Sequence, residues 1–96
     1  MRSVHTDAYR AVLEVLVAAR ARAGLTQQHV ASRLRKPQSF VSKYENGERR
    51  LDVAEFIGVL AVLGHDPRAA MDEVLASDAF VRKSGRRAAK RSRRHP

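Results

Sequence analysis

T-Q-Q-H-V-A-S-R-L-R-K-P-Q-S-F-V-S-K-Y-E-N-G, residues 26 to 47, decides the fold of this chain. Its spacing predicts two short helices joined by a tight turn. Thr26 is suited to cap the first, because its hydroxyl can accept from a backbone N–H left without an intrahelical partner. Val30, Ala31 and Leu34 then fall on one face. Lys36-Pro37 breaks that helix, since proline lacks an N–H and pushes its predecessor out of the helical region. Pro37 is equally well placed at the first turn of the next helix. That second helix buries Phe40, Val41 and Tyr44 and stops at Asn46-Gly47, a C-cap pair. Gln38, Ser39, Ser42 and Lys43 are left on its outer face.

The flanks extend the same pattern. A first helix is predicted from Thr6 to Ala23, with Tyr9, Val12, Leu13, Leu16 and Val17 in one apolar stripe and Gly24 ending it. The motif helices run over about 27 to 35 and 38 to 46. Asp52 with Glu55 forms a capping box that opens a fourth helix, which carries the apolar residues Val53, Phe56, Ile57, Leu60 and Leu63 and ends at Gly64. Asp66-Pro67 opens a fifth, with Met71, Val74 and Leu75 facing the core. No strand alternation and no internal repeat is visible. The expected fold class is all-α: a compact five-helix domain over residues 1 to 78, followed by a basic disordered tail over 79 to 96.

Composition narrows the function. The 96 residues allow one domain and include no cysteine, so disulfides, thiol chemistry and cysteine-based zinc sites are excluded. Such a chain suits a reducing cytosol. No apolar run approaches the length that spans a bilayer, and the N-terminal residues do not read as a signal peptide, so no membrane partner is expected. The net charge of +9 is uneven. Residues 1 to 78 hold eleven Lys or Arg against all ten acids, whereas residues 79 to 96 hold eight Lys or Arg and no acid. The basicity is therefore a tail property. With little apolar content beyond Val81, that segment cannot offset its ordering entropy. The four histidines (His5, His29, His65, His95) lack metal-ligand spacing, and no phosphate loop, nucleophile elbow or catalytic acid pair is present. Neither a metal, a cofactor, a catalytic residue nor an enzymatic activity is expected.

The segment 26 to 47 closely resembles the helix-turn-helix of lambda-repressor-like regulators, the XRE family, over roughly residues 6 to 76. Gln27 stands at the first motif position. Val30, Ala31, Leu34, Val41 and Tyr44 fill the buried ones, and Glu45-Asn46-Gly47 matches the closing signature. Ala31 has a physical reason, because the two helices cross closely there. Two positions depart. Arg35 replaces a common turn glycine, so its backbone is expected to find a conformation other than glycine's. His29 stands where an acidic residue often completes a capping box.

The resemblance implies a second motif helix that enters a DNA major groove. Gln38, Ser39, Ser42 and Lys43 are then the candidates for reading bases. A glutamine amide matches adenine N6 and N7, and Lys43 can reach guanine O6 or N7. Gln27, Lys36, Arg49 and Arg50 are candidates for phosphate contacts, which position rather than specify. Arg20 and Glu45 are expected to form an internal salt bridge between the first helix and the recognition helix. Together these imply a sequence-specific DNA-binding transcriptional regulator in the cytoplasm, at the nucleoid. The expected role is repression, with double-stranded DNA as partner and a homodimer on an inverted repeat. The alternative is an antitoxin-like or phage-type accessory protein whose main role is binding a protein partner. Nonspecific compaction of nucleic acid is a weaker third, supported only by the tail.

Overall fold

The structure, a computed structural model, describes residues 6–83. The side chains of residues 82 and 83 fall outside that description, as does most of the tail expected to be disordered. Among the described residues the chain forms six helices and no strand: α1 Asp7–Ala23, α2 Gln27–Leu34, α3 Gln38–Glu45, α4 Val53–Leu63, α5 Pro67–Leu75 and α6 Asp78–Lys83. No helix among them is long and apolar enough to cross a membrane.

Side chains start most of these helices. The Thr6 and Thr26 hydroxyls accept from the Tyr9 and His29 N–H groups, each at 3.0 Å. Asp52 accepts from the Glu55 N–H at 2.7 Å, and Asp66 accepts from the Arg68 N–H at 2.9 Å beside Pro67. Left-handed residues end four of them. Gly24, Arg35, Gly47 and Gly64 all take positive φ, and each is followed by an N–H that reaches back to the last helical turn. Three of these are the glycines such a position favours. The fourth overturns an expectation. Arg35 adopts φ 61° and ψ 43°, the glycine conformation itself, because the Schellman bonds from Arg35 and Lys36 N–H to Ser32 and Ala31 carbonyls demand it. His29 also does more than expected. Its Nδ1 accepts from the Thr26 N–H at 3.3 Å, so a histidine completes the capping box usually closed by an acid.

The core gathers Leu16, Val30, Val41, Tyr44, Val59 and Leu60, all fully buried, where α1 and α4 meet the α2–α3 pair. Ala31 is buried where α2 and α3 pack together, as its size requires. Burying each large apolar side chain contributes about 1.5–3 kcal/mol. The inward placement expected of Met71 and Leu75 is corrected. Val17, Val53, Ile57, Met71 and Leu75 are exposed, and Ala11, Ala19, Val59 and Ala70 are buried instead. In α4 almost every position is apolar, so periodicity alone could not choose between Ile57 and Val59. In α5 the small Ala70 and Val74 turn inward, which rotates the stripe by one residue and puts Met71 and Leu75 outside. Helix α6 was not expected. It carries regular structure five residues past Asp78, packs on α1 and α5, and buries Ala79.

Candidate nucleic-acid interface

The expected salt bridge is present and is the hub of a larger relay. Arg20 reaches from α1 to the last residue of α3. Its Nε and Nη2 donate to the two Glu45 oxygens at 2.7 and 2.9 Å, and its Nη1 donates to the Leu25 carbonyl at 3.1 Å. The Glu45 side chain is only 7% exposed and that of Arg20 21%. The carboxylate beside it holds the Arg20 pKa above its ordinary value. Glu45 then accepts a third bond, from Gln27 Nε2 at 2.9 Å, and Gln27 Oε1 accepts from Gln38 Nε2 at 3.4 Å.

The relay has a polarity that chemistry imposes. A carboxylate can only accept, so Gln27 must turn its NH₂ toward Glu45 and its carbonyl outward. Gln38 must then present NH₂ to Gln27. Four residues from three helices thereby fix the first outward side chain of α3. Beside it Ser39 and Lys43 are exposed. Ser42 is half-buried, and its hydroxyl donates to the Ser39 carbonyl at 3.4 Å, within the helix. Gln38, Ser39 and Lys43 thus share an accessible surface, while Ser42 is turned partly inward.

The basic residues are placed unevenly. Lys36 lies in the turn with Nζ 5.3 Å from the centre of the Phe40 ring. Arg49 sits 4.7 Å from the same ring, and its fork donates to both Glu55 oxygens at 3.0 and 2.9 Å. Arg50 lies 4.6 Å above the Tyr9 ring. The Tyr9 hydroxyl accepts from the Leu51 N–H at 2.9 Å, which ties the loop after α3 to α1. Burial pushes the Tyr44 hydroxyl well above its ordinary pKa. Arg49 and the Asp52 N–H together pull the Glu55 carboxyl down to about 2. The Arg49–Glu55 pair and the Tyr9 clasp went unseen in the sequence. One signal was there: Glu55, already named for its cap, lies six residues after an arginine.

Two helices crossing at a small residue, with a polar outward face on the second, define a helix-turn-helix. The helix-turn-helix domain family matches this chain over residues 11–74. A solved structure, described as an XRE-family like protein from Pseudomonas syringae pv. tomato str. DC3000, is similar at 50% identity and a TM-score of 0.70. That similarity covers 73% of this chain and 85% of the other. No curated protein matches. The chain belongs to the helix-turn-helix family of XRE type, whose fold is that of DNA-binding regulators.

Proposed function

We propose that this protein is a sequence-specific transcriptional repressor that reads the major groove with α3. The observation that carries this reading is the relay Arg20–Glu45–Gln27–Gln38. It braces α3 against α1 and α2 while leaving Gln38, Ser39 and Lys43 exposed on one face. A braced helix with a polar outward face meets the requirement for reading base edges, since the side chains must arrive in fixed register. Ser42, half-buried, takes a lesser part. Gln27, Lys36 and Arg50 are proposed to face the phosphates, with Gln27 serving as brace as well. Arg49 belongs to the same surface, with its cation already engaged.

So few base contacts give limited specificity, so the protein acts as a homodimer on an inverted repeat. Its half-sites are spaced by one helical turn, roughly 34–36 Å. The cations of the tail add contacts to flanking phosphates, and the setting is the cytoplasm, at the nucleoid. Selection from a random duplex pool tests the reading. A recovered motif with two inverted half-sites is the expected result, and no enrichment over the starting pool would overturn it. A second reading, an accessory factor that binds a protein partner, is favoured by the exposed Val53, Ile57, Met71 and Leu75 on α4 and α5.

A further inference from the structure

Four residues from four successive elements meet at one edge of the candidate interface. Lys36 comes from the motif turn, Phe40 from the first turns of α3, Arg49 from the following loop and Glu55 from the first turn of α4. Both cations lie against the Phe40 ring, at 5.3 and 4.7 Å. The Arg49 guanidinium is matched fork to fork with the Glu55 carboxylate, and its Nη1 also donates to the Arg50 carbonyl at 3.0 Å. Glu55 cannot swing aside freely. Its Oε1 accepts from the Asp52 N–H at 2.9 Å, the return bond of the α4 capping box.

We propose that Glu55 is a positioning residue that withholds the Arg49 cation from the DNA backbone. The proposal rests on the DNA-binding reading above. A phosphate approaching Arg49 meets a guanidinium whose charge is already neutralised by a carboxylate held by three hydrogen bonds. To take Arg49 for itself it must displace that carboxylate or sit beside a like charge. Among the described residues Lys36, on the same ring, has no such bidentate partner, so the cluster offers DNA one net positive charge rather than two. Phosphate contacts release counterions and bind any sequence alike. Masking one of them lowers sequence-independent grip and leaves a larger share of binding to the base-facing residues. Glu55 therefore acts on specificity through Arg49 without touching DNA.

The test measures affinity of the full chain for a short duplex of arbitrary sequence over a salt series. The parent is compared with Glu55→Gln, Arg49→Gln and the double variant. Glutamine at 55 keeps an oxygen for the Asp52 N–H, so the α4 cap is retained while the charge is lost. Glu55→Gln is expected to bind more tightly and to steepen the fall of log K with log salt by about 0.9, the increment for one more neutralised phosphate. Arg49→Gln is expected to keep the parent slope, and the double variant to match Arg49→Gln. A slope unchanged in Glu55→Gln, or a loss of about 0.9 in Arg49→Gln, overturns the proposal. Should Glu55→Gln lose its helical circular dichroism, Arg49→Gln decides alone: an unchanged slope sustains the masking and a flattened one ends it. A parent that binds no duplex at any salt overturns the DNA-binding reading and this proposal with it. Binding with the wrong slopes overturns this proposal only.

Discussion

At the scale of single residues, Arg35 is held in a conformation that chirality disfavours. A side chain at φ 61° crowds its own backbone, at a cost of about 1–2 kcal/mol. Glycine there removes that cost and gives back some of it as chain freedom in the unfolded state. Arg35→Gly is therefore expected to raise stability by about 1 kcal/mol or less, read as a higher melting midpoint. A lower midpoint would show that the arginine side chain holds the turn. Arg20 and Glu45 behave oppositely, because each is held in place by the other. Removing one leaves the second charged and poorly solvated, since Glu45 is nearly buried. Glu45→Ala or Arg20→Ala is expected to cost on the order of 3 kcal/mol. For a domain this small that is a large fraction of the total. A midpoint within a degree or two of the parent would contradict it.

At the scale of elements, helix starts and stops were the most legible part of the sequence. Thr26, Asp52 and Asp66-Pro67 each begin a helix for a reason of local hydrogen bonding, and Gly24, Gly47 and Gly64 end one for a reason of backbone sterics. Local causes leave local signatures. Which face turns inward was less legible. It depends on what a helix meets in space, and α4, apolar nearly all round, gives periodicity no contrast to work with. In the candidate site, Arg20 with Glu45 was recognised through resemblance, and the outward positions of α3 through spacing. The pairing of Arg49 with Glu55 joins a loop to a helix start through a bend that no periodicity encodes.

Two predictions belong to this scale. If α3 reads bases, Gln38→Ala and Lys43→Ala each lose discrimination at one base position by about 1–3 kcal/mol, with helical circular dichroism retained. Equal weakening on selected and random DNA would remove them from base reading. The start of α4 carries an acid dependence. The Glu55 carboxyl is lowered from 4.5 to about 2 by Arg49 and the Asp52 N–H. A folded-state value below the unfolded one means stability that is complete above the unfolded value and is lost as pH falls through the folded one. The difference in melting midpoint between the parent and Glu55→Gln is thus expected to be largest above about pH 5. It should shrink steadily toward pH 2, and a difference independent of pH would rule out the charged pair as its source.

At the scale of the whole molecule, the boundary between domain and tail moves. Helix α6 covers part of α1 and buries Ala79, so a cut after Asp78 would strip packing from the fold as well as charge. A cut after residue 83 separates the two effects and removes six of the eight basic residues of the C-terminal segment. If those cations bind flanking phosphates, this truncation weakens specific and random DNA alike and flattens the salt slope by up to about 5, with the preferred site unchanged. Equal slopes for the two chains would show that the tail leaves DNA alone.

The polarity of the relay bears on how such a protein could acquire a new target. Gln38 is tethered, because its NH₂ is the last donor of a chain that begins in α1. Ser39 and Lys43 stand outside that chain, and no link in it depends on their identity. If α3 reads bases as proposed, retargeting by substitution thus has two open slots and one restrained one. Changes at 39 and 43 would then alter the target while the frame that aims them stays fixed, whereas a change at 38 would also leave the Gln27 carbonyl without its Gln38 partner.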